Sequence, residues 1–178
     1  MTAFPGLTAG TWTVDPTHAE VGFVARHLMV AKVRGRFTEV SGTVEVGETL
    51  AETSVRAVAS AASVSTNQAD RDGHLRSADF FDVETYPELT FVSTSVSSDS
   101  MIGDLTIKGV TRNVELATEF EGAITDPYGL KRIAFSASTE IDRTDFGLDF
   151  NAVLETGGMV VGKKVKIDLE VEAVVPQG

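Results

Sequence analysis

The chain has 178 residues, no cysteine and a formal net charge of −11 at pH 7. This length suits one domain with its own core, and the lack of cysteine excludes disulfides, thiolate nucleophiles and cysteine metal sites. The net charge opposes binding to a nucleic-acid backbone or to an anionic membrane surface, and it is typical of a soluble protein. We therefore predict a single domain over residues 1–178 with no nucleic-acid partner.

The first ten residues, MTAFPGLTAG, lack the basic start and the apolar core of a secretory signal peptide. No apolar run approaches the roughly 20 residues of a transmembrane helix. We therefore expect a cytoplasmic protein that does not insert into a membrane.

Apolar and polar residues alternate with period two along the first third of the chain, which predicts β-strands. The Asp-Pro-Thr-His sequence at 15–18 predicts a turn, because Asp accepts local backbone hydrogen bonds and Pro fixes φ. The predicted elements, in order, are an extended segment at 12–14, this turn, a strand over 21–26, a short helical turn or bulge at 27–31, a strand over 35–46 with a bend at 41–42, and a strand over 54–65.

Residues 67–91 then interrupt the alternation with a charged segment that carries Leu75, Phe80 and Phe81. We predict a short helical excursion near residues 67–82, in which Asp72 and Arg76 form an i,i+4 ion pair on a solvated face. The apolar side chains would close one end of the core, either as a fixed seal or as a gate. The charged residues of the excursion are Asp70, Arg71, Asp72, His74, Arg76 and Asp79.

Alternation resumes after Pro87 and continues almost to the end of the chain. The last predicted strand, residues 165–175, has apolar residues at alternate positions, which no helix would place on one face. About eight strands with mostly short connections indicate an antiparallel up-and-down barrel or a sandwich. The remaining predicted elements are strands over 89–96, 101–108, 113–121 and 131–141, a hairpin turn at 109–112, a turn at 126–129, and a short helix at 150–155.

Six motifs follow one another along the chain: WTVDPTH at 12–18, RHL and VRGRF at 26–37, RDGHLRSADFFD at 71–82, GDLTIKGVT at 103–111, RTDFGL at 143–148 and VGKKV at 161–165. Together they resemble the YceI-like family of polyisoprenoid-binding proteins, over residues 12–175. The resemblance implies a lipocalin-like, eight-stranded antiparallel barrel whose deep apolar cavity holds a long isoprenoid or similar amphiphile. It also implies a homodimer. Many relatives are periplasmic, whereas no signal peptide begins this chain.

We predict that apolar side chains on the inward strand faces and in the excursion hold the ligand. An eight-stranded barrel can hold one small ligand, and the small residues at 57–61 leave volume for it. Each buried CH₂ contributes about 0.8 kcal/mol, so a long chain needs few polar contacts. Arg76, Arg143, His27 and His74 are the candidates for a headgroup. The predicted ligand-binding residues are Val21, Phe23, His27, Phe37, His74, Leu75, Arg76, Phe80, Phe81, Phe91, Phe120, Phe135, Arg143 and Phe146.

Catalytic and metal-binding patterns are weak in this sequence. It has no Gly-x-Ser-x-Gly elbow, and its three histidines are nine and forty-seven residues apart, which matches no short metal motif. We predict no catalytic residues, no metal and no cofactor. The predicted function is binding of an isoprenoid, quinone-like or fatty lipid for transport, storage or sequestration. Two alternatives are an enzyme that uses His27, His74 or the Asp142/Asp145 pair, and a structural or stress-response protein with a filled barrel.

Overall fold

The computed structural model describes residues 4, 6–28, 30–150, 153–154, 158–159 and 161–175, with the backbone alone for His27 and for 153–154 and 158–159. Within these residues the chain forms twelve strands and one α-helix, α1 (Ala69–Arg76). The strands are β1 (Gly10–His27), β2 (Ala31–Phe37), β3 (Val40–Val46), β4 (Ser54–Ser60), β5 (Val64–Ser65), β6 (Glu88–Val96), β7 (Ser100–Ile107), β8 (Val110–Thr125), β9 (Lys131–Asp142), β10 (Val153–Leu154), β11 (Gly158–Met159) and β12 (Val161–Val174).

Eight strand positions close into an antiparallel barrel, which confirms the predicted fold class. Their order is β1, β2–β3, β4, β6, β7, β8, β9 and β12, and β12 pairs back onto β1 from Thr13 opposite Val174 to His27 opposite Val161. β2 and β3 run in the same direction and pair with successive parts of β1, so they share one position. Closure of β12 onto β1 encloses the inward side chains.

β1 is continuous where the sequence predicted a turn at 15–18. Its pairing with β12 shifts register between Val14 and Ala19, so this segment is a bulge inside a long strand. Asp15 Oδ1 accepts hydrogen bonds from the N–H and the hydroxyl of Thr17 at 3.0 and 2.7 Å. The local hydrogen bonding typical of an Asp-Pro turn is therefore present, and strand pairing on both sides overrides the turn.

Several connections also differ from prediction. The helical turn expected at 27–31 joins β1 to β2 as a hairpin, with Leu28 at φ 54°. The bend expected at 41–42 lies at 38–39, between β2 and β3. The helix expected at 150–155 is wrong where the chain is described, because 153–154 form β10. The hairpin between β7 and β8 turns at 108–109, where both residues have positive φ, as a two-residue type I′ turn requires.

Two segments cover the ends of the barrel. At one end the N-terminal residues Leu7 and Trp12 pack with Val44, Ile133 and Ala173, and the Trp12 indole Nε1 donates to the carbonyl of Thr8 at 2.9 Å. At the other end lies the excursion, defined here as residues 66–87, which contains α1. The candidate functional site lies in the space between these two covers.

A buried carboxylate anchors the start of the excursion. Asp72 accepts hydrogen bonds from the backbone N–H of Thr66 at 2.8 Å and from its hydroxyl. Arg71 donates to the hydroxyl and the carbonyl of the same threonine at 2.7 and 2.9 Å. The predicted ion pair between Asp72 and Arg76 is therefore wrong, because the Asp72 carboxylate points inward and accepts hydrogen bonds from Thr66, which precedes the helix.

Candidate functional site

The barrel contains an apolar cavity between the two covers. The volume of this cavity is about 200 Å³. Side chains from all eight strand positions line it, together with the excursion. Among the described residues the polar side chains in the lining are Ser41, Thr90, Thr139 and Arg143. A wall of this kind favours an apolar ligand over ordered water, and it contradicts the alternative of a barrel filled by its own side chains.

Two glycines help to keep this space open. Phe23 on β1 lies opposite Gly35 on β2, and a Cβ added at Gly35 would lie 2.2 Å from Cζ of the Phe23 ring. The Phe91 ring covers Gly103 on β7 in the same way, at 2.4 Å. Since each ring occupies the volume where a neighbouring side chain would be, it lies against the wall. The two large aromatics thus line the cavity without filling it.

Nine of the fourteen predicted ligand-binding residues line this cavity. Phe120 instead lines a second, smaller cavity, and Phe146 is buried in the core beside Ile107 and Ile141. His74 and Arg76 face neither cavity, and the side chain of His27 lies outside the described residues. Contact with a ligand stays a prediction for the whole set. The nine residues are Val21, Phe23, Phe37, Leu75, Phe80, Phe81, Phe91, Phe135 and Arg143.

The excursion faces the cavity with the three apolar side chains predicted to do so, Leu75, Phe80 and Phe81. The ring of Phe81 packs edge-on against Phe37 with centroids 5.6 Å apart. On its outer side, His74 lies edge-on to Phe80 at 5.1 Å, and its Nε2 is 2.9 Å from a carboxylate oxygen of Asp79. Space therefore lies directly beneath the excursion, and movement of this segment would expose it.

Hydrogen bonds fasten the excursion on one side. Arg76 donates from Nε to the carbonyl of Ala62 at 2.9 Å and from Nη2 to the carbonyl of Val64 at 3.1 Å. Lys108, in the β7–β8 turn, donates to the carbonyl of Ala78 at 3.0 Å. The Arg76 side chain thus holds α1 to β5 and to the turn between β4 and β5, instead of pointing at a ligand.

Arg143 is the only charged residue in the described part of the cavity wall. Its side chain is buried, and its guanidinium donates to the carbonyls of Gly162 at 2.9 Å, Phe150 at 3.0 Å and Val161 at 3.2 Å, and to that of Leu148. Burial lowers the pKa of this guanidinium, while Asp142 and Asp149 act in the opposite direction. Its described hydrogen-bond partners are all main-chain carbonyls, which are neutral dipoles.

A second, smaller cavity of about 70 Å³ lies between the main cavity and the N-terminal cover. Three side chains line both cavities: Val55, Met101 and Phe135. Phe120 faces the smaller cavity and stacks on Phe4 with ring centroids 4.5 Å apart. The three shared residues therefore form a partition across the barrel, and that partition sets the depth of the main cavity.

A cluster of charges on the outer surface was not anticipated from the sequence. Arg132 donates to Asp15 at 2.8 Å, to Glu172 at 3.1 Å and to Asp126 at 3.3 Å. The hydrogen bond from Arg132 holds the pKa of Asp15 well below its usual range. His18 Nδ1 lies 3.0 Å from Asp15, and with Glu172 they place three metal-ligand atoms within 4.8 Å of one another. Arg132 already supplies the positive charge there, so we interpret this cluster as structural.

The described acid–base candidates of the enzyme alternative are separate from both cavities. Asp142 accepts from the N–H and the hydroxyl of Thr144 at 3.0 and 2.6 Å, and these bonds lower its carboxyl pKa. Asp145 is exposed, and His74 is engaged by Asp79. None of the three lines the main or the smaller cavity. No observation in the described part of the chain therefore favours catalysis inside the barrel.

No helix among the described residues is long and apolar enough to cross a membrane.

Comparison with known proteins places this geometry in a family. The family model of the YceI-like domain matches residues 12–173. A UPF0312 protein of Staphylococcus aureus (strain MSSA476) is 37% identical over 164 residues, which cover 90% of this chain and 95% of the relative. BcnA of Burkholderia cenocepacia has the same fold, with a TM-score of 0.77 at 22% identity, over 89% of this chain and 98% of BcnA.

A polyisoprenoid binding domain from Saccharophagus degradans also shares the fold, with a TM-score of 0.69 at 18% identity, over 93% of this chain and 98% of that domain. These similarities extend along nearly the whole barrel, and the family match begins at the buried Trp12 and ends at Ala173. The chain belongs to the YceI-like domain family.

Proposed function

We propose that this protein binds one long-chain isoprenoid, or a similar amphiphilic lipid such as a quinone-like or fatty molecule, inside the barrel. Its role would be transport, storage or sequestration without covalent chemistry. The observation that carries the proposal is the cavity itself, whose wall is apolar except for four side chains. The polyisoprenoid binding domain of Saccharophagus degradans, which shares the fold, supports the same class of ligand.

The energetics favour such a ligand. Each CH₂ moved from water into an apolar environment gains about 0.8 kcal/mol, so a chain of twenty carbons would gain on the order of 16 kcal/mol before the costs of association. Binding could therefore rest on burial alone. The positions of the polar groups would then decide the orientation of the chain more than its affinity.

The headgroup would lie at the end of the cavity that the excursion covers. Arg143 is the charged side chain in the described cavity wall, and its described partners are carbonyl groups. A guanidinium whose hydrogen-bond partners are neutral carbonyls favours an electron-rich group such as a phosphate, carboxylate or quinone oxygen nearby. The apolar tail would then extend toward the partition of Val55, Met101 and Phe135.

The test is solvent extraction of the purified protein followed by mass spectrometry, with titration of the delipidated protein by prenyl and acyl chains. We expect one prenyl or acyl species at close to one per chain. Replacing the small lining residue Ala57 with phenylalanine should abolish binding, whereas replacing the exposed Arg56 next to it with glutamine should not. An empty extract together with no saturable binding of any chain would contradict the proposal.

A homodimer and a cytoplasmic location stay predictions from the sequence. Light scattering of the purified protein tests the first, and fractionation of the source cells tests the second.

A further inference from the structure

The hairpin between β1 and β2 lies at the same end of the barrel as the excursion. His27, the last residue of β1, pairs with Val161, whose carbonyl accepts a hydrogen bond from Arg143 of the cavity wall. At the tip of this hairpin the side chains of Leu28 and Val30 are 42% and 81% exposed. Two aliphatic side chains thus extend into solvent beside the covered end of the cavity.

The outer face next to this tip is basic. The side chains that face outward from the hairpin alternate with the cavity-lining ones, because neighbouring residues of a strand point to opposite faces. Residues 21–37 contain four cations and no Asp or Glu, in a chain whose net charge is −11. All six cations of this outer face are exposed: Arg26, Lys32, Arg34 and Arg36 on the hairpin, and Lys164 and Lys166 on β12.

Strand register brings these cations together. Val24 of β1 lies opposite Arg34 of β2 on one side and Lys166 of β12 on the other. Since neighbouring strands are about 4.8 Å apart, Arg34 and Lys166 project from backbones roughly 10 Å apart. Among the described residues, none of the four hairpin cations has a carboxylate within 4.0 Å, whereas Lys166 has Asp168 at 4.0 Å. On the far side of β12, Asp142 and Glu140 of β9 lie opposite Lys164 and Lys166. The four hairpin cations therefore have no ion-pair partner in the described part of the chain, whereas the two β12 cations have carboxylates beside them.

The overall negative charge does not cancel this face. Charges in physiological salt are screened over about 8 Å, and Asp142 and Glu140 of β9 are three strands, or roughly 14 Å, from β2. A surface that approaches the hairpin therefore responds mainly to the four hairpin cations. The remaining nine Lys and Arg residues share the rest of the molecule with most of its 26 acidic residues. The chain is consequently polarised, with a positive face at the covered end of the cavity.

We propose that this face, the hairpin outer surface together with its tip, docks on an anionic lipid bilayer and brings the covered end of the cavity to that surface. The cations would contact lipid phosphates, and Leu28 and Val30 would enter the interfacial region. Exposed aliphatic residues beside a basic face favour a bilayer over a nucleic acid or an acidic protein. This docking does not depend on a ligand in the barrel. Only its purpose, exchange of lipid with the bilayer, rests on the proposed function.

The test is co-sedimentation of the full chain with phosphatidylcholine vesicles that contain or lack phosphatidylglycerol. We expect binding to the anionic vesicles in low salt, and its loss in about 1 M NaCl, where screening acts over about 3 Å. The double variant R34Q/R36Q should bind about 30-fold more weakly, since each Lys or Arg near such a surface contributes about fivefold. Val30→Ser should also weaken binding while leaving the salt dependence unchanged.

Matched controls separate the face from total charge and total exposed apolar surface. The double variant R56Q/K131Q removes the same charge from exposed positions elsewhere, and Tyr128→Ser removes an apolar side chain that is 86% exposed at the other end of the barrel. Neither should change sedimentation. Equal loss in the controls, no binding to anionic vesicles in low salt, or binding to heparin without binding to vesicles would each overturn the proposal.

Ligand binding by delipidated protein is measured in parallel, without vesicles. R34Q/R36Q should bind a prenyl alcohol as the wild type does, because neither side chain lines a cavity. A protein that sediments with vesicles but binds no chain would contradict the proposed function alone. A protein that binds chains but does not sediment would contradict the docking alone.

Discussion

Replacing Phe135 with alanine should join the two cavities and lengthen the chain that the barrel accepts. Phe135 lines both cavities, and it lies opposite Phe120 on β8 and Val171 on β12. Its ring is therefore the largest part of the partition. Without the ring, the smaller cavity of about 70 Å³ would extend the main one of about 200 Å³ by roughly a third, in addition to the volume of the ring itself.

The size of the effect follows from burial. Each additional CH₂ that enters the cavity is expected to raise affinity about fourfold, which corresponds to about 0.8 kcal/mol. In the wild type this gain should stop at the chain length whose end reaches the partition. In Phe135→Ala it should continue over several more carbons. The variant should lose about 3 kcal/mol of folding stability, at the lower end for Phe→Ala because the ring already borders empty space.

The assay is titration of delipidated protein with straight-chain alcohols of increasing length, with urea unfolding to measure the loss of stability. Phe120→Ala is the matched control, because this ring faces only the smaller cavity and its removal leaves the partition in place. Phe135→Leu gives a smaller opening if the alanine variant does not fold. The same limiting length in the wild type and both Phe135 variants, or an equal shift in Phe120→Ala, would refute the role of the partition.

Three further predictions concern the wall and the charges. Gly35→Val should push the Phe23 ring into the cavity and weaken binding of a prenyl alcohol at least tenfold by titration, whereas unchanged affinity would show that the ring has room elsewhere. Arg143→Met should leave buried carbonyls without donors and cost about 3 kcal/mol in urea unfolding; a loss below about 1 kcal/mol would contradict this. Asp15 has a folded-state pKa below its unfolded value, so the stability it contributes is complete above about pH 5 and declines as pH falls further. The Tm of Asp15→Asn should therefore fall less than that of the wild type between about pH 5 and pH 2, and an equal fall in both proteins would contradict the assignment.

The barrel could be predicted because the sequence signals that mark each strand lie within that strand. Period-two alternation marks a strand at each position in isolation, and short connections leave few ways to arrange eight strands. Local signals failed where non-local pairing outweighed them. The Asp-Pro-Thr-His segment has the composition of a turn, yet β12 pairs with β1 on both sides of it and holds it as a bulge. Its partner strand lies some 150 residues away, so no window around residues 15–18 contains the deciding interaction.

The cavity could be predicted in its chemistry and only partly in its depth. Alternation tells which face a side chain takes, but not how far along the barrel axis it lies. Phe91, Phe120 and Phe135 all point inward, yet Phe91 lines the main cavity, Phe120 the smaller one, and Phe135 the partition between them. The relation between Phe23 and Gly35 was equally hidden, because it depends on the register of two strands.

The roles of the arginines could not be read from spacing. A guanidinium suits carbonyls as well as anions, and the partners of Arg143 and Arg76 are main-chain carbonyls that every residue type supplies. The Arg132 cluster joins residues 117 positions apart, on β1 and β9. Such partners become visible only when the barrel closes.

The fastening of the excursion indicates how a ligand would enter. Its described hydrogen bonds to the barrel run to the β4–β5 side, through Arg76 and the carbonyl of Pro87, and to the β7–β8 turn, through Lys108. Toward β1–β2 and residues 143–150 the described contacts are between rings, such as Phe81 with Phe37 and Phe80 with Phe150. Ring contacts re-form more readily after sliding than directed hydrogen bonds do. We therefore expect the side of the excursion next to the β1–β2 hairpin to detach, while α1 stays attached to the β4–β5 side.

Arg76→Ala tests whether this segment gates the cavity or seals it. The variant loses two charge-assisted hydrogen bonds, so opening should become easier by about 2 kcal/mol, and ligand association and dissociation should both accelerate by up to roughly 30-fold. Affinity should change little, because Arg76 lines neither cavity. Arg71→Ala, on the same helix but bonded only within the excursion, should leave both rates near those of the wild type. Stopped-flow fluorescence with a labelled acyl chain measures the rates, and unchanged rates in a destabilised Arg76→Ala protein would identify the excursion as a fixed seal.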